Sequence, residues 1–235
     1  MIMMFPPRFW QPRSARALDG LPYTKNVRKV RKTPTEIEVK LKVLDLSDIL
    51  RKLHRLAGTS HGRVFERNTL YDTPDSAFWR SARLLRVRVE SPAPGHGLRG
   101  GKAAAVLTAK GPAPARPAKE KPSRYKERAE REVPLKNPQA FVKTLSRLGL
   151  RTGFCYEKYR SRFAMPGLHL DLDETAVGIF LELEGRPAVI DHAAKTLGFV
   201  PKDYLRVSYW ELYAADCHRK GVTARNMLLP RTKIR

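Results

Sequence analysis

In residues 36–43, Glu-Ile-Glu-Val-Lys-Leu-Lys-Val, every even position is charged and every odd position is apolar. A period of two marks a β-strand whose faces meet different surroundings. The alternation returns at 84–90, where Arg86 and Arg88 oppose Leu85, Val87 and Val89, and around 126–133, 158–163, 168–173 and 179–184. A shorter piece, 106–110, puts Thr108 and Lys110 on one side. Helix signals stand between the strands. Ser47 can cap a helix running through Ile49, Leu50, Leu53 and Leu56 to Gly58. Asn137-Pro138 supplies an N-cap and an N1 proline to a stripe of Phe141, Val142, Leu145 and Leu148 that Gly149 ends. Two more helices are predicted over 190–197, before Gly198, and over about 207–217, with Trp210 and Tyr213 available for packing. The Pro-, Gly-, Ala- and Lys-rich stretch 91–126 reads as two loops flanking the 106–110 strand.

The charged faces carry Glu36, Glu38, Glu130, Glu132, Asp171, Asp173, Glu182 and Glu184, with Lys40, Arg86, Arg88, Lys110, Arg128, Lys158 and Arg160. On any single strand this is an ordinary solvated face. Taken together the strands differ from that case, because acids or bases come in consecutive same-face pairs while the helices offer apolar stripes to cover the other side. Helices outside put the charges inside, which requires a closed barrel with a polar lumen. An unpaired buried ion costs on the order of several kcal/mol. Adjacent carboxylates call for a cation and clustered Arg and Lys for an anion, so a divalent metal with a polyphosphate satisfies both. All-oxygen donors select Mg²⁺, Mn²⁺ or Ca²⁺.

Composition agrees with an anionic partner. The formal net charge is +23. Residues 1–35 hold eight Lys/Arg against Asp19, and 216–235 hold six against Asp216, so about half of the excess lies in the two ends. The division read from this is a basic flexible arm over 1–34, a tunnel domain over 35–217 and a basic tail over 218–235, the ends meeting polyanions non-specifically. No apolar run approaches the roughly 18–20 residues of a membrane span. Cys155 and Cys217 show neither metal nor disulfide spacing, which suits a reducing cytoplasm. The oligomeric state is left open.

The ordered motifs resemble the CYTH family, the triphosphate tunnel metalloenzymes, which includes class IV adenylyl cyclases, thiamine triphosphatases and inorganic triphosphatases. Glu36-Ile37-Glu38-Val39-Lys40 has the family's E-x-E-x-K form, and Leu70-Tyr71-Asp72-Thr73-Pro74 is similar to its aromatic-Asp-Thr-Pro turn. Leu85-Arg86-Val87-Arg88, Leu107–Pro112, Lys158-x-Arg160, Asp171-Leu172-Asp173 and Gly178–Glu184 follow in its order. The resemblance implies a mainly β, α+β fold: a closed eight-stranded antiparallel tunnel with helices packed outside. It implies a Mg²⁺ or Mn²⁺ site on Glu36, Glu38, Glu132, Asp171, Asp173, Glu182 and Glu184. It implies a phosphate cradle of Lys40, Arg86, Arg88, Lys110, Arg128, Lys158 and Arg160, with Lys40 and Lys110 beside the reacting oxygens. Leu70 departs from members that use a tyrosine there with a lysine in proton handling, so Tyr71 is read as packing. The expected activity is metal-dependent hydrolysis of an inorganic or organic triphosphate. The alternatives are cyclic AMP formation from ATP, and non-catalytic binding of polyphosphate or nucleic acid. His169 shares the parity of Asp171 and is read as solvent-facing or supporting.

Overall fold

The computed structural model describes residues 35–57, 60–93, 104–113 and 123–230. The expected arm over 1–34, the Gly58 helix end, most of the two loops within 91–126, and residues 231–235 lie outside them. The strands are β1 (Thr35–Val43), β2 (Ser60–Asp72), β3 (Leu84–Pro92), β4 (Ala104–Pro112), β5 (Lys126–Pro134), β6 (Arg151–Met165), β7 (Leu168–Thr175) and β8 (Gly178–Gly185). They pair antiparallel in the order β1-β5-β4-β3-β2-β6-β7-β8, and β8 returns to β1 to close the barrel. Closure abolishes both sheet edges and gives the inward side chains a lumen of their own.

The apolar core therefore lies between the barrel and its helices. Val39, Leu41 and Val43 of β1, Leu170 and Leu172 of β7, and Leu181 and Leu183 of β8 point outward. They pack against α1 (Leu46–Ala57) and α4 (Pro187–Leu197) through Ile49, Leu53, Ile190 and Leu197. Each fully buried Leu, Ile or Val contributes about 1.5–3 kcal/mol. A short helix, α2 (Ala77–Arg80), joins β2 to β3, and α3 (Pro138–Arg147) covers the outer face of β2–β4 through Leu145, Phe141 and Val142. The fifth, α5 (Tyr209–Arg219), sits on an aromatic cluster of Phe154, Tyr156 and Phe180.

Most helix boundaries follow the sequence signals, with informative shifts. Asn137 caps α3 by accepting from the Ala140 amide at 3.0 Å. At α1 the cap is Asp45 rather than Ser47: its Oδ1 accepts from the Asp48 amide at 2.9 Å, which starts the helix one residue before Ser47. Ser208 and Glu211 form a capping box at α5, so that helix begins at Tyr209 and runs to Arg219. β2 carries no clean alternation in sequence. Its inward residues are Val64, Glu66 and Asn68, while Phe65, Arg67 and Thr69 face the other way, so charged and apolar types mix on both sides.

Past the expected domain end at 217 the chain continues to pack on the barrel. Met227 is 0% exposed, its amide donates to the Cys155 carbonyl at 3.0 Å, and its carbonyl accepts from the Glu157 amide at 2.9 Å. Asn226 Oδ1 accepts from the Cys155 amide at 2.9 Å. The reason is geometric: β6 pairs with β7 only from Lys158 onward, and the 155–157 stretch offers free backbone groups that this segment takes up. A chain ending at residue 224 should melt well below one ending at 230, and Met227→Ala alone should lose about 2–5 kcal/mol. Thermal denaturation of the three proteins checks this; equal midpoints would remove the segment from the fold.

Candidate active site

The pleat puts one face of all eight strands into the barrel, and the register decides which charges meet. Glu38 lies opposite Glu184, Lys40 opposite Glu182, Asp171 opposite Glu182, Arg160 opposite Asp173, and Lys110 opposite Glu130. The result is a cavity of about 930 Å³ that opens to solvent. Glu36, Glu38, Lys40, Arg86, Arg88, Lys110, Arg128, Glu132, Lys158, Arg160, Asp171, Glu182 and Glu184 line it. Asp173 does not; it lies beneath the lining, fully buried.

Asp173 is the centre of a saturated ionic floor. It accepts from Lys158 Nζ at 2.8 Å, from Arg160 Nε and Nη2 at 2.6 Å each, and from the Tyr209 hydroxyl at 2.6 Å. Arg160 also reaches Asp171 at 2.6 Å and bonds Glu182. Behind it the fully buried Glu66 meets Arg162 at 2.8 Å and Lys158 at 3.5 Å, and Arg162 bridges to Glu90 at 2.6 Å. Burial alone would push the Glu66 carboxyl up, but Lys158, Arg160, Arg88 and Arg162 together hold it far below the usual range. Tyr209 comes from α5, and its ring lies 4.3 Å from Lys40 Nζ and 5.0 Å from Lys158 Nζ, a cation–π arrangement on the floor's edge. Burial, with Asp173 beside it, keeps this phenol protonated well above its ordinary value.

The wall above is different in kind. Lys110 serves both Glu36, at 2.5 and 2.7 Å, and Glu130 at 2.9 Å, and Lys126 bonds Glu38 at 2.7 Å. Burial and the neighbouring Glu38 carboxylate still push Glu36 up to about 8, against the pull of Lys110. Burial raises Glu184 too, with Glu130 and Glu38 adding to it. Asp171 is raised by burial despite Arg160, with Asp173 and Glu182 adding to the effect. Glu38 goes the other way: burial opposes it, but Lys126, Lys40 and Lys110 bring it below the carboxylate range. Across the lumen, Arg86 bonds only neutral oxygens, the Tyr156 hydroxyl at 3.2 Å and Thr108 Oγ1 at 3.1 Å, and its buried Nε has no hydrogen-bond partner among the described residues. Glu132 lies 3.5 Å from it and is itself taken up by Thr108 at 2.8 Å and Arg88 at 3.3 Å. Arg128 donates to two backbone carbonyls, Ala82 at 2.6 Å and Gly111 at 3.5 Å.

As the side chains stand, no three Asp, Glu, His or Cys among the described residues are grouped to hold a metal ion. The lysines occupy the carboxylate oxygens instead: Lys110 on Glu36, Lys126 on Glu38 and Lys40 on Glu182. The donors nonetheless fit a hard dication. All are carboxylate oxygens, and burial with the neighbouring carboxylates keeps Glu36 and Glu184 raised despite Lys110. His169 lies opposite Glu184 in register and is exposed at the tunnel opening. Tyr71 is in the outer core with Val87 and Leu145, and Leu70 lines the lumen. Glu90 and Arg162 share the parity of named site residues and were legible on that rule; Glu66 and Asn68 lie on the unmarked strand β2, and Tyr209 on a helix, where parity says nothing.

Two outcomes separate floor from wall. Asp173→Asn should lose about 3–5 kcal/mol of stability with no ligand present, because it leaves Lys158 and Arg160 buried and underpaired. Urea titration measures it, and a loss under 1 kcal/mol would contradict the floor. For Glu36 the folded pKa of about 8 exceeds the unfolded 4.5. The folded state therefore holds the extra proton, and stability from this group is full below 4.5 and lost as pH climbs to about 8. Glu36→Gln imitates the protonated form, so in metal-free buffer its melting temperature should gain on the parent from pH 5 to about 8 and then level off. A pH-independent difference would rule out the raised carboxyl.

Over residues 34–198 the sequence matches the CYTH domain family. A search of curated proteins found no matching sequence. Among solved structures, the PH1819 protein from Pyrococcus horikoshii OT3 is similar at a TM-score of 0.61 and 24% identity, covering 77% of this chain and 99% of its own. The PH1012 protein of the same organism gives 0.57 and 24%, covering 75% and 98%. A Vibrio parahaemolyticus protein proposed as an adenylate cyclase gives 0.61 and 19%, covering 75% and 96%. These likenesses show a shared fold. With well over half of its length matched by the family, and the closed barrel around a charged lumen in place, the chain belongs to the CYTH family.

Proposed function

We propose that the chain is a divalent-metal-dependent triphosphate hydrolase working inside its tunnel. The observation that carries this is the imbalance across the lumen. Arg86 is buried, hydrogen-bonded only to neutral oxygens and paired at 3.5 Å with a Glu132 that Thr108 and Arg88 already hold. It shares the lumen with Glu36 and Glu184, which burial and neighbouring carboxylates keep above their usual range. A polyanion bridged to a dication neutralises both sides, whereas an anion alone leaves the carboxylate wall unexplained.

In this reading Arg86 and Arg128 take phosphate oxygens directly, since neither guanidinium is committed to a carboxylate hydrogen bond among the described residues. Planar guanidinium groups clamp two oxygens at once, which fixes the chain of phosphates in line. Arg88, held by Glu90 and Glu132, extends the cradle. Lys110 exchanges its carboxylate partners for the oxygen that leaves, and Lys40 stands at the floor beside the ring of Tyr209. Lys158 and Arg160 hold Asp173, Asp171 and Glu182 in position rather than gripping substrate. Glu36, Glu38, Glu130 and Glu184 would hold Mg²⁺ or Mn²⁺, which supplies charge neutralisation at the phosphates. Water attacks the terminal phosphorus, the bond to the bridging oxygen breaks, and orthophosphate departs from a diphosphate. Such a transfer asks the protein mainly for positioning and charge, which this lumen offers.

Purified protein with Mg²⁺ or Mn²⁺ should release orthophosphate from a triphosphate and lose that activity in EDTA. Arg86→Ala and Glu184→Gln should each lower kcat/KM about a hundredfold or more, with the barrel still folded by circular dichroism. Pyrophosphate and cyclic AMP as the products of ATP would replace hydrolysis by cyclisation. Tight binding without turnover at any metal concentration would leave a polyphosphate binder.

A further inference from the structure

A second cavity, of about 300 Å³, opens beside the tunnel. The two share walls: Leu70, Trp79, Arg83, Leu84, Phe154 and Trp210 line both. The side cavity is aromatic where the tunnel is ionic. Phe154 and Trp210 form its back as an edge-to-face pair with ring centroids 5.0 Å apart. Trp79 forms its lip; it is 56% exposed, and among the described residues no other aromatic ring packs on it. Arg83 stands at the junction with no carboxylate partner among the described residues. An exposed indole over an aromatic slot is a surface that loses water readily to a flat ring.

The turn that presents Trp79 is built to be rigid. Asp72 Oδ1 accepts from the Thr73 and Phe78 amides at 2.7 and 2.9 Å, and its Oδ2 accepts from the Trp79 amide at 3.0 Å. Thr73 Oγ1 takes the Ala77 amide at 2.8 Å. Ser76 and Ala82, on either side of α2, adopt φ of +60° and +53°, a conformation that costs a non-glycine residue about 1–2 kcal/mol. The far end is tied to the tunnel itself, where Arg128 donates to the Ala82 carbonyl at 2.6 Å. Strain kept in place by this many bonds is characteristic of ligand clamps. Simple chain reversal between β2 and β3 requires none of it.

We propose that the side cavity holds a planar heteroaromatic head group whose triphosphate lies in the tunnel, which makes the substrate a ring-bearing organic triphosphate rather than inorganic triphosphate. This rests on the reading of the tunnel as a triphosphate site. The cavity's size is at the low end for small-molecule sites and takes one ring system, not a polymer. Trp79 and the Phe154–Trp210 pair stack the ring, and Arg83 at the junction meets the innermost phosphate or the ring's polar edge.

The test compares tripolyphosphate, methyl triphosphate, ATP and CTP on the full-length protein, by turnover and by quenching of tryptophan fluorescence. ATP or CTP should exceed methyl triphosphate in kcat/KM, and Trp79→Ala should shrink that ratio by about five- to a hundredfold, the range for losing one stacked base. Trp79→Phe should restore most of it. The nucleotides should quench fluorescence at concentrations where tripolyphosphate does not, whether or not they turn over. Hydrolysis of all four at equal kcat/KM, with ratios unchanged in Trp79→Ala, would overturn the head-group site and leave the hydrolase standing. No turnover of any of them, with nucleotide-specific quenching lost in Trp79→Ala, would overturn the hydrolase and keep the ring site.

Discussion

Glu36 and Glu184 are held beside Glu38 and Glu130 in a space that burial has stripped of much of its water, and burial with the repulsion of those neighbours raises both carboxyls despite Lys110. That repulsion cannot be relieved by turning a strand over, because the period-two pleat would then carry Val39, Leu41 and Leu183 into the lumen and the charges under the helices. The barrel is thus locked in its inverted form by two requirements at once. Its apolar faces need the helices, and its charged faces need the tunnel.

Inversion also decides where stability resides. The apolar contacts that hold the molecule together lie between strands and helices, and the lumen adds ion pairs whose desolvation offsets much of their attraction. The floor escapes this at Asp173, where both carboxylate oxygens are taken up by Lys158, Arg160 and the Tyr209 hydroxyl. The wall is not satisfied, and its residual imbalance is what leaves it responsive to a ligand. One barrel face therefore divides into a part that holds the shape and a part that awaits charge, with Arg160 and Arg86 as counterparts.

Seven strands and the inward direction of their charges were legible in the sequence, because wherever one face is uniformly charged and the other uniformly apolar, parity fixes both. β2 escaped on the same principle: Val64 and Glu66 share its inner face, and Phe65 and Arg67 its outer one. Parity also named Arg86 and Arg160 as equals. What separates them is depth and partners across the barrel, Thr108 and Tyr156 for one and Asp173 for the other, which only closure and register reveal. The C-terminal segment was hidden for a different reason. Its composition is that of a tail, and it is ordered by unused backbone groups on β6 that no side-chain pattern announces.

The first turn of α5 joins these parts. Tyr209 reaches through to the floor at Asp173, and the next residue, Trp210, stands in the wall of both cavities. Successive positions on a helix point about 100° apart, so two neighbours can serve the charged floor and the aromatic slot only if the helix is fixed in rotation. The Ser208–Glu211 capping box supplies that constraint at one end. Phe154 supplies it at the side, packed edge-on against Trp210 and stacked with Tyr213 one turn further on. Phe154 is in turn carried by β6, whose neighbouring backbone is held by Asn226 and Met227. The segment beyond α5 therefore bears on the site without touching it, by holding the strand against which the helix is aligned.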